Sequence, residues 1–273
     1  MNLQQKIFKN GSIIYYYSSL FFPKEVKKEV FTLYAYVRTA DNFVDVIPQK
    51  KEDFYNFKKL TKQAFREKTH TGNIIIDDCA ALFNKRKIPQ ELIFSFLSAM
   101  EKDLSKKEYE NFSELDQYIY GSANVIGVMM AYILDLPKES FPYAELLGKA
   151  MQYANFIRDI NEDILLGRIY IPKSELIKHN LTNKDYLEHQ NSEKMSALIR
   201  SQIQIYYKIQ NEAENGFRYI PKKYRIPIQT ASNLYKWTIN KIYKNPMIVF
   251  EKKVKPSPYR VIKEALSVWI SLL

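Results

Sequence analysis

Apolar positions recur every three or four residues along this chain, and they divide it into a succession of predicted helices. Residues 3–22, with the run IIYYYSSLFF, form the first and end at Pro23. The second starts at Pro23, where a missing N–H costs little, and runs to about Ile47 before Pro48. Residues 50–68 and 74–86 give two more, separated by THTGN, with the adjacent Asp77 and Asp78 flanking a helix start. Pro89 opens ELIFSFLSAMEKDL, and a turn follows near 106–111. Ser113 with Asp116 reads as an N-cap for the segment 113–134. Pro137 and Pro142 mark a loop before a long helix over 143–166, closed by Gly167 in a left-handed cap. Residues 183–217 are again helical, with a polar surface. Pro221 and Pro227 bracket a short basic turn, a helix follows from Ile228 to Lys244, and Pro246 breaks it. The last stretch, 261–273, is amphipathic and is expected to pack on the body or touch a membrane. The implied fold class is all-α.

Two of these helices carry the candidate chemistry. In QYANFIRDINEDILLGRIYIP, residues 152–172, Asp159 and Asp163 are four apart, so a helix stacks both carboxylates on one face. Gln152 and Asn155 share that face, which lies among Ala154, Phe156, Ile157, Ile160 and Ile164. Carboxylates in such surroundings need a compensating positive charge. A divalent cation with oxygen ligands, shared with a phosphate, is one answer; pairing of Asp159 with Arg158 or Arg168 on a solvated face is the other. The same spacing recurs in VRTADNFVDV, residues 37–46, at Asp41 and Asp45. There Val30, Tyr34, Val37 and Asp41 share one stripe, so the acids point inward. Arg38, one turn before Asp41, is placed to grip a diphosphate oxygen or to form a buried ion pair. Two inward acid pairs over a hundred residues apart suggest two helices facing across a cavity, with a Mg²⁺-bridged diphosphate between them.

Composition narrows the class. Only 7 glycines occur in 273 residues and no Gly-rich linker divides the chain, so 1–273 is expected to be one domain with a sizeable core. The single cysteine, Cys79, excludes an intramolecular disulfide and a Cys-based zinc site. The three histidines have no ligand spacing. Net charge is +11, and from Pro221 onward eleven Lys or Arg stand against two Glu. No recognised nucleic-acid-binding module accompanies that charge, so a membrane surface is the better candidate partner, with a solvated basic face as the alternative. No apolar leader or membrane-length run is visible, and a cytoplasmic protein with peripheral membrane contact as an option is expected. Small residues at Gly121, Ala123 and Gly127 permit close approach of a ligand or a neighbouring backbone; tight helix packing is the preferred reading for Gly127.

The two acid motifs, with YIYGSANVIGVMM between them and GRIYIP after the second, resemble the squalene/phytoene synthase family from about Ser12 to Lys255. The resemblance implies an all-helical isoprenoid-synthase-type bundle around a central cavity. It implies head-to-head joining of two prenyl diphosphates, farnesyl or geranylgeranyl, through a cyclopropyl diphosphate to a C30 or C40 product. It assigns Asp41, Asp45, Asp159 and Asp163, with Asn155, to Mg²⁺, and Arg38, Arg158 and Lys253 to the diphosphate. Gln152 and Asn155 would orient the reacting groups, Tyr34 on the inward stripe would contact the substrate, and Tyr118 would help hold the departing diphosphate or serve as a core tyrosine. Ser12 matches a family serine near the diphosphate, although Ile13 and Ile14 replace the usual basic and hydroxyl residues. Asn42 stands where a second adjacent acid is common, and Lys253 where an arginine is common, which loses the bidentate fork. NADPH would enter only if the product is reduced. A class I terpene cyclase and a non-catalytic binding relative stay open as alternatives, as do a monomer and a homodimer.

Overall fold

In the computed structural model, which describes residues 2–273, sixteen α-helices build the protein. They are α1 (Leu3–Gly11), α2 (Ile13–Ser19), α3 (Lys24–Val44), α4 (Lys51–Lys62), α5 (Ile74–Arg86), α6 (Gln90–Lys102), α7 (Phe112–Ile119) and α8 (Val125–Ile133). They continue as α9 (Phe141–Arg158), α10 (Ile160–Leu165), α11 (Lys173–Lys178), α12 (Asn183–Leu187), α13 (Ser192–Glu214), α14 (Lys222–Lys244), α15 (Ile248–Glu251) and α16 (Pro258–Ser271). Among the described residues the only β pairing is an isolated parallel bridge, Glu108 with Ile169. The all-α expectation holds.

Several predicted boundaries move, each for a local reason. The first predicted helix breaks at Ser12, whose extended backbone lets its side chain cap α2 through the Tyr15 N–H. The cap of α7 is Asn111, which accepts from Glu114 N at 3.1 Å, and not Ser113. Residues 183–217 are interrupted between α12 and α13, where His189 and Asn191 take positive φ. Pro227 sits inside α14 and not in a turn; it falls in the second helical turn, so only one backbone bond is lost. The long helix over 143–166 is broken at Asp159, with φ −102° and ψ 15°, between α9 and α10. Asp45 closes α3 in nearly the same conformation, φ −97° and ψ 7°. The bonds from Asp159 N to Asn155 O and from Asp163 N to Asp159 O carry the helical register through the break, so the predicted stacking survives.

One hydrophobic cluster joins the helices, with Tyr36, Phe54, Phe96, Leu115 and Tyr206 among its fully buried members. α9 is central: it packs on α8, α13 and α14. Its Tyr153, Phe156 and Ile157 are buried in that core, each worth ~1.5–3 kcal/mol of apolar transfer. Glycines set how closely it approaches α8 and the turn that precedes it. A Cβ on Gly127 would fall 2.0 Å from the Ala144 carbonyl oxygen, and one on Gly148 would fall 2.4 Å from that of Ala123. Both obstacles are backbone, so neither can step aside cheaply. Tight packing at Gly127, the preferred reading, is what the fold contains. Gly127→Ala is expected to cost about 1–3 kcal/mol or more by overpacking, read as a lower midpoint in guanidinium denaturation; an unchanged midpoint would contradict this contact.

Candidate active site

α2, α3, α8, α9 and α14 enclose a cavity of about 1060 Å³. That is at the upper end of the ~300–1,000 Å³ usual for small-molecule sites. Much of its wall is apolar, with Leu33, Ile126, Met130, Leu147, Met151 and Ile228 among the lining residues. Its charged residues come mostly from the ends of helices: Arg38, Asp41 and Asp45 from α3, Asp103 at the end of α6, Arg158, Asp159 and Glu162 from the α9–α10 junction, Arg168 just after α10, and Lys253 and Lys255 beyond α15.

The two acid pairs have contrasting environments. Burial, then repulsion from Asp45, pushes the Asp41 carboxyl up to about 7, although Arg38 lies 3.9 Å away and pulls it down. Asp163 is raised well above the ordinary range by burial and by the charges of Asp159 and Asp45. That shared repulsion ties the second motif to the first across the chain. Burial would also raise Asp159, but Arg158 and Lys253 hold it below the ordinary range. Arg158 donates to both Asp159 oxygens, at 2.7 and 2.5 Å, and Lys253 Nζ stands 3.1 Å from the carboxylate while also pairing with Glu162. The pairing of Asp159 with Arg158 weighed from the sequence is therefore present, but on a cavity wall and not on a solvated face.

The remaining predicted residues reach the cavity in different ways. Ser12, Tyr34, Gln152 and Asn155 all line it. Tyr34 is stacked on Phe8 with ring centroids 3.7 Å apart. Asn155 donates to Gln152 at 3.4 Å and accepts from the Tyr235 hydroxyl at 3.2 Å. Tyr118 is buried at the wall, and its hydroxyl donates to Asp103 at 2.7 Å. That donor is engaged within the protein, which favours the core-tyrosine alternative. Asp163, unlike the other three aspartates, does not line the cavity.

Two site residues were missed by sequence reasoning. Arg168, considered only as a partner for Asp159, is 3% exposed and turns the other way. It donates to Asp45 at 2.8 Å, to the Val44 carbonyl at 2.7 Å and to the Asp103 carbonyl at 3.3 Å. Gly167, at φ 69°, makes this possible: Arg168 N bonds Asp163 O and Gly167 N bonds Ile164 O, so a left-handed cap ends α10 and reverses the chain. Asp103, 2% exposed, accepts from Tyr118 and, at 3.0 Å, from Tyr170. Its available signal was position: it continues the apolar stripe of Phe96 and Met100, where a carboxylate has no bland use.

A family model described as squalene/phytoene synthase matches residues 8–260. The chain belongs to the squalene/phytoene synthase family. The 15-cis-phytoene synthase of Synechocystis sp. is 25% identical over 270 residues, covering 91% of this chain and 78% of that protein. The phytoene synthase of Arthrospira platensis is 27% identical over 256 residues, with 88% and 82% covered. The chloroplastic phytoene synthase of Narcissus pseudonarcissus is 26% identical over 255 residues; they span 88% of this chain and 58% of that longer protein. Among solved structures, a dehydrosqualene synthase in complex with ligand superposes with a TM-score of 0.90 at 24% identity, covering 98% of this chain and 95% of that one. The squalene synthase HpnC from Alicyclobacillus acidocaldarius gives 0.79 at 18%, with 89% and 92% covered. The squalene/phytoene synthase fold thus accounts for the helical bundle and its central cavity.

The donor set suits a hard cation: every candidate ligand is an oxygen, and Asp41 and Asp163 are raised in part by negative neighbours that a cation would offset. Among the described residues no three carboxylate, histidine or cysteine groups form a ready-made cage.

Asp103 supplies a pH test. Burial pushes its carboxyl up to about 6 from an ordinary value near 3.8, against the pull of Arg168 and the Tyr118 hydrogen bond. With a folded-state value above the unfolded one, stability is lost as pH rises from the unfolded value through the folded one, and it is regained as pH falls back through that range. Melting temperature of the wild type relative to Asp103→Asn should therefore rise as pH is lowered from about 7.5 to about 4.5. A difference that does not vary with pH would rule this out.

Proposed function

We propose that this protein condenses two prenyl diphosphates head to head, through a cyclopropyl diphosphate, to a C30 or C40 isoprenoid with release of inorganic diphosphate. The observation that carries the reading is the division of one cavity into a charged set of helix ends and a long apolar wall. A prenyl diphosphate has the same division, an anionic head on a hydrocarbon tail. Curated relatives named as phytoene synthases favour geranylgeranyl diphosphate and a C40 product of the phytoene class.

Asp41, Asp45 and Asp159, on the cavity wall, would hold Mg²⁺, with Asn155 as a further oxygen ligand; the family resemblance assigns Asp163 to the same cation, although it does not line the cavity. The chemistry that a cation held there would supply is neutralisation of the charge on the departing diphosphate. Arg38, Arg158 and Lys253 supply cationic contacts to the same leaving group. Arg158 is held against Asp159 by two hydrogen bonds, so its guanidinium is oriented before substrate arrives. The second chain attacks through its own double bond, and no protein nucleophile is required. Leu33, Ile126 and Leu147 keep water from the cation, while the faces of Tyr15, Tyr34 and Tyr235 offer it electron-rich partners. NADPH belongs to the reaction only if the product is reduced to squalene.

Incubation with farnesyl or geranylgeranyl diphosphate and Mg²⁺, followed by lipid extraction, is expected to yield a head-to-head product from at least one of them. A product derived from a single prenyl chain would favour the terpene cyclase alternative, and metal-dependent binding without turnover would favour a non-catalytic relative. Asp159→Ala should lower kcat on the order of 10²–10³-fold, the scale of losing one preorganised electrostatic contact to the leaving group. Full activity in that variant would contradict its place in the site.

A further inference from the structure

One face of α9 borders the cavity along its whole length. Tyr143, Leu147, Met151, Asn155 and the C-cap Asp159 recur every four residues, and all of them line it. Arg158 and Asp159 stand at one end of this stripe and Tyr143 at the other. The rise from Tyr143 to Arg158 is about 22 Å, at about 1.5 Å per residue. An extended chain advances about 1.2 Å per main-chain bond, so a geranylgeranyl tail of about sixteen bonds spans ~19 Å. On the same scale a farnesyl tail spans ~14 Å and a geranylfarnesyl tail ~24 Å. With the diphosphate at Arg158, the two shorter tails end before Tyr143 and the longest runs into it.

Tyr143 is held from both sides. Its stem lies against Gly216, in the 3₁₀ turn Asn215–Tyr219 that follows α13. A Cβ on Gly216 would fall 2.4 Å from the Tyr143 Cβ, so only glycine leaves room for the tyrosine there. On the outer side the exposed Arg218 donates to the Tyr143 hydroxyl at 3.2 Å and to the Tyr219 hydroxyl at 3.1 Å. Its guanidinium lies 5.6 Å from the Tyr143 ring and 4.9 Å from the Tyr219 ring, and the two rings are stacked 5.8 Å apart. Tyr143 thus borders the cavity with one face while its hydroxyl is tied to surface side chains. Gly216 and Phe217 line the cavity beside it, so this stopper is part of the wall. Nothing in the bond-breaking chemistry calls for a residue so far from the charged set. What reaches this end is the tip of a hydrocarbon tail, and a ring seated on backbone yields little to a chain that is too long.

We propose that Tyr143, seated on Gly216 and clamped by Arg218, sets the longest prenyl chain the site accepts, and that this limit is the geranylgeranyl chain. The inference rests on the prenyl diphosphate reading above and adds a chain-length determinant to it. Unreactive thiolodiphosphates of farnesyl, geranylgeranyl and geranylfarnesyl chains, titrated calorimetrically in the presence of Mg²⁺, read binding without turnover. The wild type should bind the two shorter analogues and should bind the geranylfarnesyl analogue more weakly, on the order of tenfold or more. Tyr143→Ala should remove most of that penalty and leave farnesyl binding unchanged. Tyr143→Phe keeps the ring and should keep the cut-off. Leu147→Trp, one helical turn nearer the charged end, should move the cut-off down by about one prenyl unit, weakening the geranylgeranyl analogue on the order of tenfold while the farnesyl analogue holds. If Tyr143→Ala does not fold, Arg218→Ala at its exposed position loosens the same stopper and should narrow the geranylfarnesyl penalty. Equal binding of the geranylgeranyl and geranylfarnesyl analogues by wild type, or a penalty that persists in the folded variants, would overturn the proposal and leave the prenyl diphosphate reading standing. Failure of all three analogues to bind wild type would sink both.

Discussion

The placement of the first acid motif depends on one buried guanidinium. Arg168 joins the Asp45 carboxylate, the end of α3 at Val44 and the end of α6 at Asp103. Gln49 bonds the same two carbonyls, at 2.9 and 2.8 Å. A planar donor that cannot lose its proton is the one side chain able to satisfy a carboxylate and two carbonyls together. Around it Tyr118, Tyr170 and Asp103 form a hydroxyl–carboxylate cluster, backed by the stacked rings of Phe156 and Tyr170, 4.2 Å apart. Because Arg168 follows the second motif in sequence and binds the last residue of the first, it fixes their relative position through covalent and ionic links at once.

The helical class, the cavity-lining positions of Asp41, Asp45 and Asp159, and the close approach at Gly127 were legible in the sequence. All follow from residue spacing, which survives in the folded chain. Helix ends were less legible. Ser12 and Asn111 act as caps through single side-chain bonds, and nothing in periodicity separates them from neighbours such as Ser113. The break at Asp159 left no mark because the residues on both sides keep helical spacing. Pro227 was over-read, since proline ends a helix reliably only beyond its first turns.

The roles of Arg168 and Asp103 depend on chain segments brought together from far apart. Arg168 meets Asp45 across more than a hundred residues, and its direction is set by the reversal at Gly167. Asp103 gains its importance from two tyrosines that precede and follow the second motif. The backbone link from Ile169 N to Lys107 O, at 2.8 Å, draws these segments side by side, and no local pattern announces it.

The way α3 ends has an electrostatic consequence of its own. Its 21 residues run toward the cavity, Asp41 lies in the last turn, Asp45 closes the helix, and that turn contains no lysine or arginine. Aligned peptide dipoles concentrate about half a negative charge at such a terminus. The backbone thus adds to the carboxylates, and the cation that meets this end, Arg168, comes from a distant segment and bonds the Val44 carbonyl and Asp45. Asn42, between the two aspartates, carries no formal charge, and the helix end contributes its own partial negative charge beside them.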